Sequence, residues 1–99
     1  DEEPELKLLL KRADKDLVTL QLNEIIKALN ALDGWKTEEI EKVIRGLQEK
    51  NDWHRGQFFM MLRLAITGRK ATPPLFETTA VIEKQTVIAR LEKAIELIK

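Results

Sequence analysis

Apolar residues return along this chain at helical rather than strand spacing. Val18, Leu22, Ile25, Leu29 and Leu32 succeed one another at steps of four, three, four and three, which draws one face of a long amphipathic helix. Upstream, Pro4 suits a first helical position, with Leu6, Leu9 and Leu10 behind it. Residues 14–16 interrupt that stripe as a turn or kink. Asp33-Gly34 predicts the stop of the longer helix, glycine taking the left-handed conformation past the last turn. Thr37 is placed to cap the next helix. Glu38 and Glu39 sit at its positive dipole end, and Ile40, Val43, Ile44 and Leu47 form its buried stripe, ending near Asn51.

The second half is more apolar. Phe58, Phe59, Met60, Met61, Leu62, Leu64, Ala65 and Ile66 leave hardly a polar side between residues 57 and 67. A helix of that composition belongs at the centre of a bundle, the Phe58–Met61 run reads as core, and Arg63 is the lone charge on it. Gly68 ends this helix, residues 69–71 form a short basic loop, and Thr72-Pro73 reads as a cap and first residue of a short helix. That helix carries Leu75, Phe76, Ala80 and Val81. A last one carries Ile88, Leu91, Ile95 and Ile98 on one face. Strand signals are absent. The expected class is all-α, a multi-helical bundle of about five to six helices.

Charge changes the picture more than composition does. The 17 basic and 17 acidic residues cancel over the 99 positions, which excludes a binder of polyanions driven by excess positive charge everywhere. The cancellation hides a gradient. Residues 1–52 hold nine basic and 13 acidic side chains, and residues 53–99 hold eight and four. Between Asp52 and Glu77 no acid occurs, while Arg55, Arg63, Arg69 and Lys70 fall in the gap. Such a stripe orients a polyanion, although short chains also segregate charge by chance. We therefore divide the domain into an acidic helical part, 1–52, and a basic part, 53–99, meeting near residues 51–56. The chain opens at Asp1 rather than methionine, and an excised piece of something longer is expected.

Little catalytic chemistry is written here. There is no cysteine, and His54 is the sole histidine, which leaves no thiolate and no paired-histidine metal site. His54 reads as a helix cap or surface residue. The glycines stand singly, so no phosphate-cradling loop exists. Trp35 and Trp53 fit core anchors at helix ends, with base stacking as the alternative. No apolar run approaches the length of a membrane span, and no signal peptide is visible. Catalytic and metal residues are expected to be none, and the cytoplasm is the default compartment.

Phe59 to Gly68 reads phenylalanine, any, methionine, leucine, arginine, any, alanine, any, any, glycine, and Thr72-Pro73-Pro74-Leu75-Phe76-Glu77 follows. With Val87-Ile88-Ala89-Arg90-Leu91 downstream and Trp35-Lys36-Thr37-Glu38-Glu39-Ile40-Glu41 upstream, this resembles the C-terminal anticodon-binding region of bacterial-type glutamyl-tRNA synthetases. The likeness is loose over the whole chain and tight over residues 57–91. Two positions depart from the pattern. Met61 stands where proline is usual, which should leave that helix more regular. Glu83 stands where glycine is common, which questions a tight turn between the last two helices.

The resemblance implies an all-α class I synthetase anticodon-binding fold. It also implies a parent that is a glutamate–tRNA ligase using ATP and magnesium, with this part needing no cofactor of its own. Its catalytic motifs are not found here; His54-Arg55-Gly56-Gln57 resembles one only superficially. The implied partner is the anticodon loop of tRNA-Glu, met by a monomeric fragment. The implied RNA contacts are Arg63, Thr72, Pro73 and Leu75, with Arg69 and Lys70 on phosphates and Arg45 from the preceding helix. Arg63 would offer its planar fork of donors, Thr72 a hydroxyl, and Pro73, Pro74 and Leu75 a stiff apolar surface. Arg55 and Lys84 would extend the basic rim. From the residues alone, Arg63 reads equally as half of an ion pair with Glu77. The competing functions are a helical protein-interaction module and an RNA-binding domain of another synthetase or a free-standing paralogue.

Overall fold

Asp14 caps a helix: its carboxylate accepts the backbone N–H groups of Asp16 at 3.0 Å and Leu17 at 3.2 Å, satisfying two of the donors that a helix start leaves open. A computed structural model describes residues 14–68 and 74–98. Five helices occur among them: α1 (Lys15–Asn30), α2 (Thr37–Asn51), α3 (Arg55–Thr67), α4 (Leu75–Val81) and α5 (Lys84–Ile98). No strand occurs among the described residues, as the spacing predicts. The helix expected near Pro4 lies outside them.

The apolar stripes meet in one core to which every helix contributes, through Val18, Leu22 and Leu29 of α1, Ile40 and Ile44 of α2, Phe58 and Leu62 of α3, Leu75 of α4 and Leu91 of α5. α1 packs on α5 and α2, α3 on α5 and α4, and the short α4 lies across α2. Centrality of α3 follows from its composition: Phe58, Met61, Leu62, Leu64, Ala65 and Ile66 are all buried. Phe59 is only half-buried and Met60 is exposed, so the Phe58–Met61 run is not core throughout. Gly56, Met60, Arg63 and Thr67 repeat at helical spacing along the single open edge of α3. Met61 brings no break, and the helix is continuous through it.

The connections depart from expectation in instructive ways. α1 stops at Asn30, with Ala31 still right-handed, so Gly34 is not its left-handed terminator. A Cβ added at Gly34 would lie 2.6 Å from Oε1 of Glu39, the far end of a flexible side chain that can move aside. Lys36, not Thr37, occupies the cap of α2, in extended backbone and without a side-chain bond. Thr37 is already helical, out of register for capping. α2 ends on Asp52 in left-handed backbone at φ 53°, where Gln48 supports the turn by donating to the Trp53 carbonyl at 2.6 Å. His54 caps α3 through Nδ1, which accepts from Gln57 N–H at 3.2 Å. Gly68 does end α3 left-handed, at φ 78°.

α4 begins at Leu75 with Pro74 as its cap, two residues later than Thr72-Pro73 suggests. Val81 is 86% exposed, and Thr79 is the residue buried in its place, its hydroxyl donating to the Leu75 carbonyl at 2.8 Å. Only Ile82 and Glu83 separate α4 from α5; extended backbone at Ile82 makes the corner without glycine. The inward face of α5 is Val87, Leu91, Ala94 and Ile98, with Ile88 and Ile95 half-buried beside it. Both tryptophans anchor. Trp53 is buried against Phe58 with ring centres 5.2 Å apart, and the Trp35 indole N–H donates to the Ile82 carbonyl at 2.7 Å.

Gly46 lies exposed within α2 with nothing within 4 Å of an added Cβ. Gly46→Ala is expected to stabilise the fold by about 0.5–1 kcal/mol. Gly68→Ala is expected to cost about 1 kcal/mol, because its backbone is left-handed. Urea unfolding of the two variants beside the parent chain checks both signs.

Candidate functional site

Where α4 crosses α2 beside the open edge of α3, a cleft of about 410 Å³ forms. α2 gives it Thr37, Glu41 and Arg45, four residues apart and so on one helical face. α3 gives Phe59 and Arg63, again four apart. Pro74, Leu75, Phe76 and Glu77 at the start of α4 close the third side. Three residues nominated from sequence, Arg45, Arg63 and Leu75, thus converge. Arg69, Lys70, Thr72 and Pro73 lie outside the described residues.

Two contacts set the height of α4 over α2. The Trp35 indole ties the α1–α2 turn to the α4–α5 corner through Ile82. Lys84, just past that corner, donates to the carbonyls of Asn30 at 3.2 Å and Leu32 at 2.8 Å, satisfying acceptors left at the end of α1. Lys84 is therefore a fastening of the fold rather than part of a basic rim. Arg55 stands exposed at the start of α3 and does not line the cleft.

The cleft's two arginines have different employment. The Arg45 guanidinium donates through Nε to Glu41 at 2.7 Å. It also lies 5.7 Å from the ring centre of Phe59 and 5.2 Å from that of Phe76, within reach of both quadrupoles. Those rings meet edge to face at 6.1 Å, and Phe59 continues through Phe58 at 5.1 Å toward the core. Arg45 is thus a strut between α2 and the aromatic lining.

Arg63 is half-buried; its carbonyl accepts from the Thr67 hydroxyl at 2.7 Å, but its guanidinium has no hydrogen-bond or ionic partner among the described residues. The ion pair with Glu77 is not made, although both side chains line the cleft. Glu77 is exposed and likewise unpaired among the described residues. The site therefore presents a planar cation and a carboxylate, each without a partner among the described residues, and an aromatic edge within one concave surface. Leu75 is 4% exposed and forms the floor; the apolar surface expected of it falls to exposed Pro74 and half-buried Phe76. Reading the sequence missed Phe59, Phe76, Thr37 and Glu41 as neighbours of Arg63. The signal available was the four-residue spacing of Phe59 to Arg63 and of Glu41 to Arg45.

A further guanidinium, Arg90 of α5, donates through Nη1 to the Ile66 carbonyl at 2.6 Å. It holds the end of α3, from which the chain leaves toward residues 69–73.

Comparison with known proteins gives one family and a consistent set of relatives. Residues 2–95 match the family described as anticodon binding domain. The chain is 35% identical over 91 residues to the glutamate–tRNA ligase of Roseiflexus castenholzii, covering 92% of this chain and 18% of that protein. It is 35% identical over 79 residues to the enzyme of that name from Tropheryma whipplei, covering 80% and 16%. It is 38% identical over 72 residues to glutamate–tRNA ligase 2 of Pseudothermotoga lettingae, covering 73% and 16%. The chain spans less than a fifth of the length of these relatives.

The strut and the free cation are expected to separate in folding stability. Arg45→Ala should cost about 1 kcal/mol, the sum of an exposed cation–π contact and a helical ion pair. Arg63→Ala should stay within about 0.5 kcal/mol of the parent, since its guanidinium loses no partner among the described residues. Denaturant midpoints of the two variants measure the difference.

Proposed function

The chain belongs to the anticodon binding domain family, and from that premise we propose that its α2–α3–α4 cleft receives an unstacked nucleotide of the anticodon loop of tRNA-Glu. On this reading the chain is the anticodon-reading part of a glutamate–tRNA ligase, which joins glutamate to its tRNA with ATP and magnesium. That chemistry belongs to the rest of such an enzyme, and this part acts as a cytoplasmic, monomeric unit without a cofactor. No described helix is long and apolar enough to cross a membrane.

The observation that carries the reading is Arg63: a half-buried cation with no ionic partner among the described residues, in a concave site edged by Phe59 and Phe76. RNA sequence is read from splayed bases, which combine an aromatic face with hydrogen-bonding edges. A free guanidinium fork beside an apolar edge offers a counterpart to each. Arg69, Lys70, Thr72 and Pro73 adjoin the cleft in sequence through Pro74. They are proposed to complete the contact, the two cations on phosphates and the Thr-Pro corner on a base. Arg45, already engaged by Glu41, contributes by holding the lining.

Arg63→Ala is expected to lower discrimination between cognate and non-cognate anticodon stem-loops by about tenfold, the scale of one lost bidentate base contact. The dependence of affinity on salt should change little. A uniform loss over all loops, with the salt slope reduced by about one unit, would make Arg63 a phosphate contact instead. Absence of binding to any stem-loop at low salt overturns the RNA reading in favour of a protein-interaction module.

A further inference from the structure

Arg63 and Glu77 line one cleft without pairing to each other or to another described residue. The other two charges there, Arg45 and Glu41, neutralise each other at 2.7 Å. The described lining of the cleft therefore carries no net charge, with two ionic side chains engaged and two without a described partner. A phosphate would gain Arg63 but would also meet Glu77 as a like charge. The arrangement suits a neutral ligand whose edge carries acceptors for the guanidinium and a donor for the carboxylate.

Resting on the proposed RNA reading, we propose that Glu77 is a specificity-determining residue. With Arg63 it selects a base whose edge presents two adjacent acceptors next to an N–H donor. Cytosine has that edge: O2 and N3 take the guanidinium fork, and the N4 amino group donates to the carboxylate. Guanine has it too, with N7 and O6 for the fork and N1–H for the carboxylate. Uracil separates its two carbonyl acceptors by N3–H, and adenine sets each ring acceptor beside the amino group or a C–H. Neither occupies fork and carboxylate together. Carboxylates accept from the cytosine amino group, and arginine takes the paired acceptors of guanine, in the direct readout of DNA as well. Phe76 and Pro74, bracketing Leu75 on the same wall, give the base an apolar face.

The test uses the 99-residue chain and RNA hairpins with a uridine loop in which one central position is U, C, G or A. Dissociation constants are compared at fixed low salt. The parent chain is expected to bind the C or the G loop about tenfold more tightly than the U and A loops, the discrimination of one good bidentate contact. The separate C and G arms show whether a pyrimidine or a purine fits. Glu77→Gln should erase most of that preference, since an amide offers a donor as well as an acceptor. Glu77 is exposed, so the variant is expected to fold, and its circular dichroism melt checks this. Binding of hairpins without a C or G preference, or a preference that Glu77→Gln leaves intact, overturns the role of Glu77 while leaving the RNA reading standing. Failure of the parent chain to bind any hairpin overturns both.

Discussion

The enclosure of α3 is the constraint on which this structure depends. Six of its residues are buried, and a helix that apolar is stable in water only with neighbours on nearly every side. α5 and α4 supply that cover, leaving a narrow edge through Gly56, Met60, Arg63 and Thr67. A charged side chain on such a helix has few places to go, because burying it unpaired is costly. Arg63 therefore emerges where the cover is incomplete, at the margin of the short α4. The geometry of the cleft is a consequence of core packing rather than an addition to it.

The second level of organisation is the fastening of α4. With only seven residues, α4 is too short to hold its place through its own helical propensity. Its position is fixed from both ends of the fold. Leu75 and Thr79 are buried beneath it, Trp35 grips the Ile82 carbonyl just beyond it, and Arg45 bridges Phe59 to Phe76 at its start. A surface recruited to recognise a ligand works best when its geometry is set in advance, since ordering it on contact costs affinity. The aromatic chain from Trp53 through Phe58 and Phe59 to Phe76 connects that surface to the interior.

Division of labour among the cations is the chemical result. Lys84 and Arg90 close helix ends through backbone carbonyls, Arg45 is a strut, and Arg63 alone of these four has no described partner. Four basic residues with the same formal charge thus carry different physical work. Charge counting over the basic half of the chain does not separate them, because the distinction lies in which carbonyl, carboxylate or ring each meets.

The sequence by itself determined the class and much of the helix layout. Periodicity places the stripe of α1 and, at Ile40 and Ile44, that of α2, although Val43 and Leu47 are only half-buried and Gln48 is buried instead; composition puts α3 in the middle, and Gly68 ends it, all through interactions within a few residues. The residues around Arg63, Thr72 and Glu77 also carry the family likeness. Tertiary structure alone decided what meets what across helices. Thr79 rather than Val81 turns inward, Leu75 becomes floor, and the Arg63 guanidinium finds no partner among the described residues. None of these follows from local spacing, since each is set by where a second helix lies. Side-chain partners separated by dozens of positions, such as Trp35 and Ile82 or Lys84 and Leu32, exist only once the chain has closed around its core.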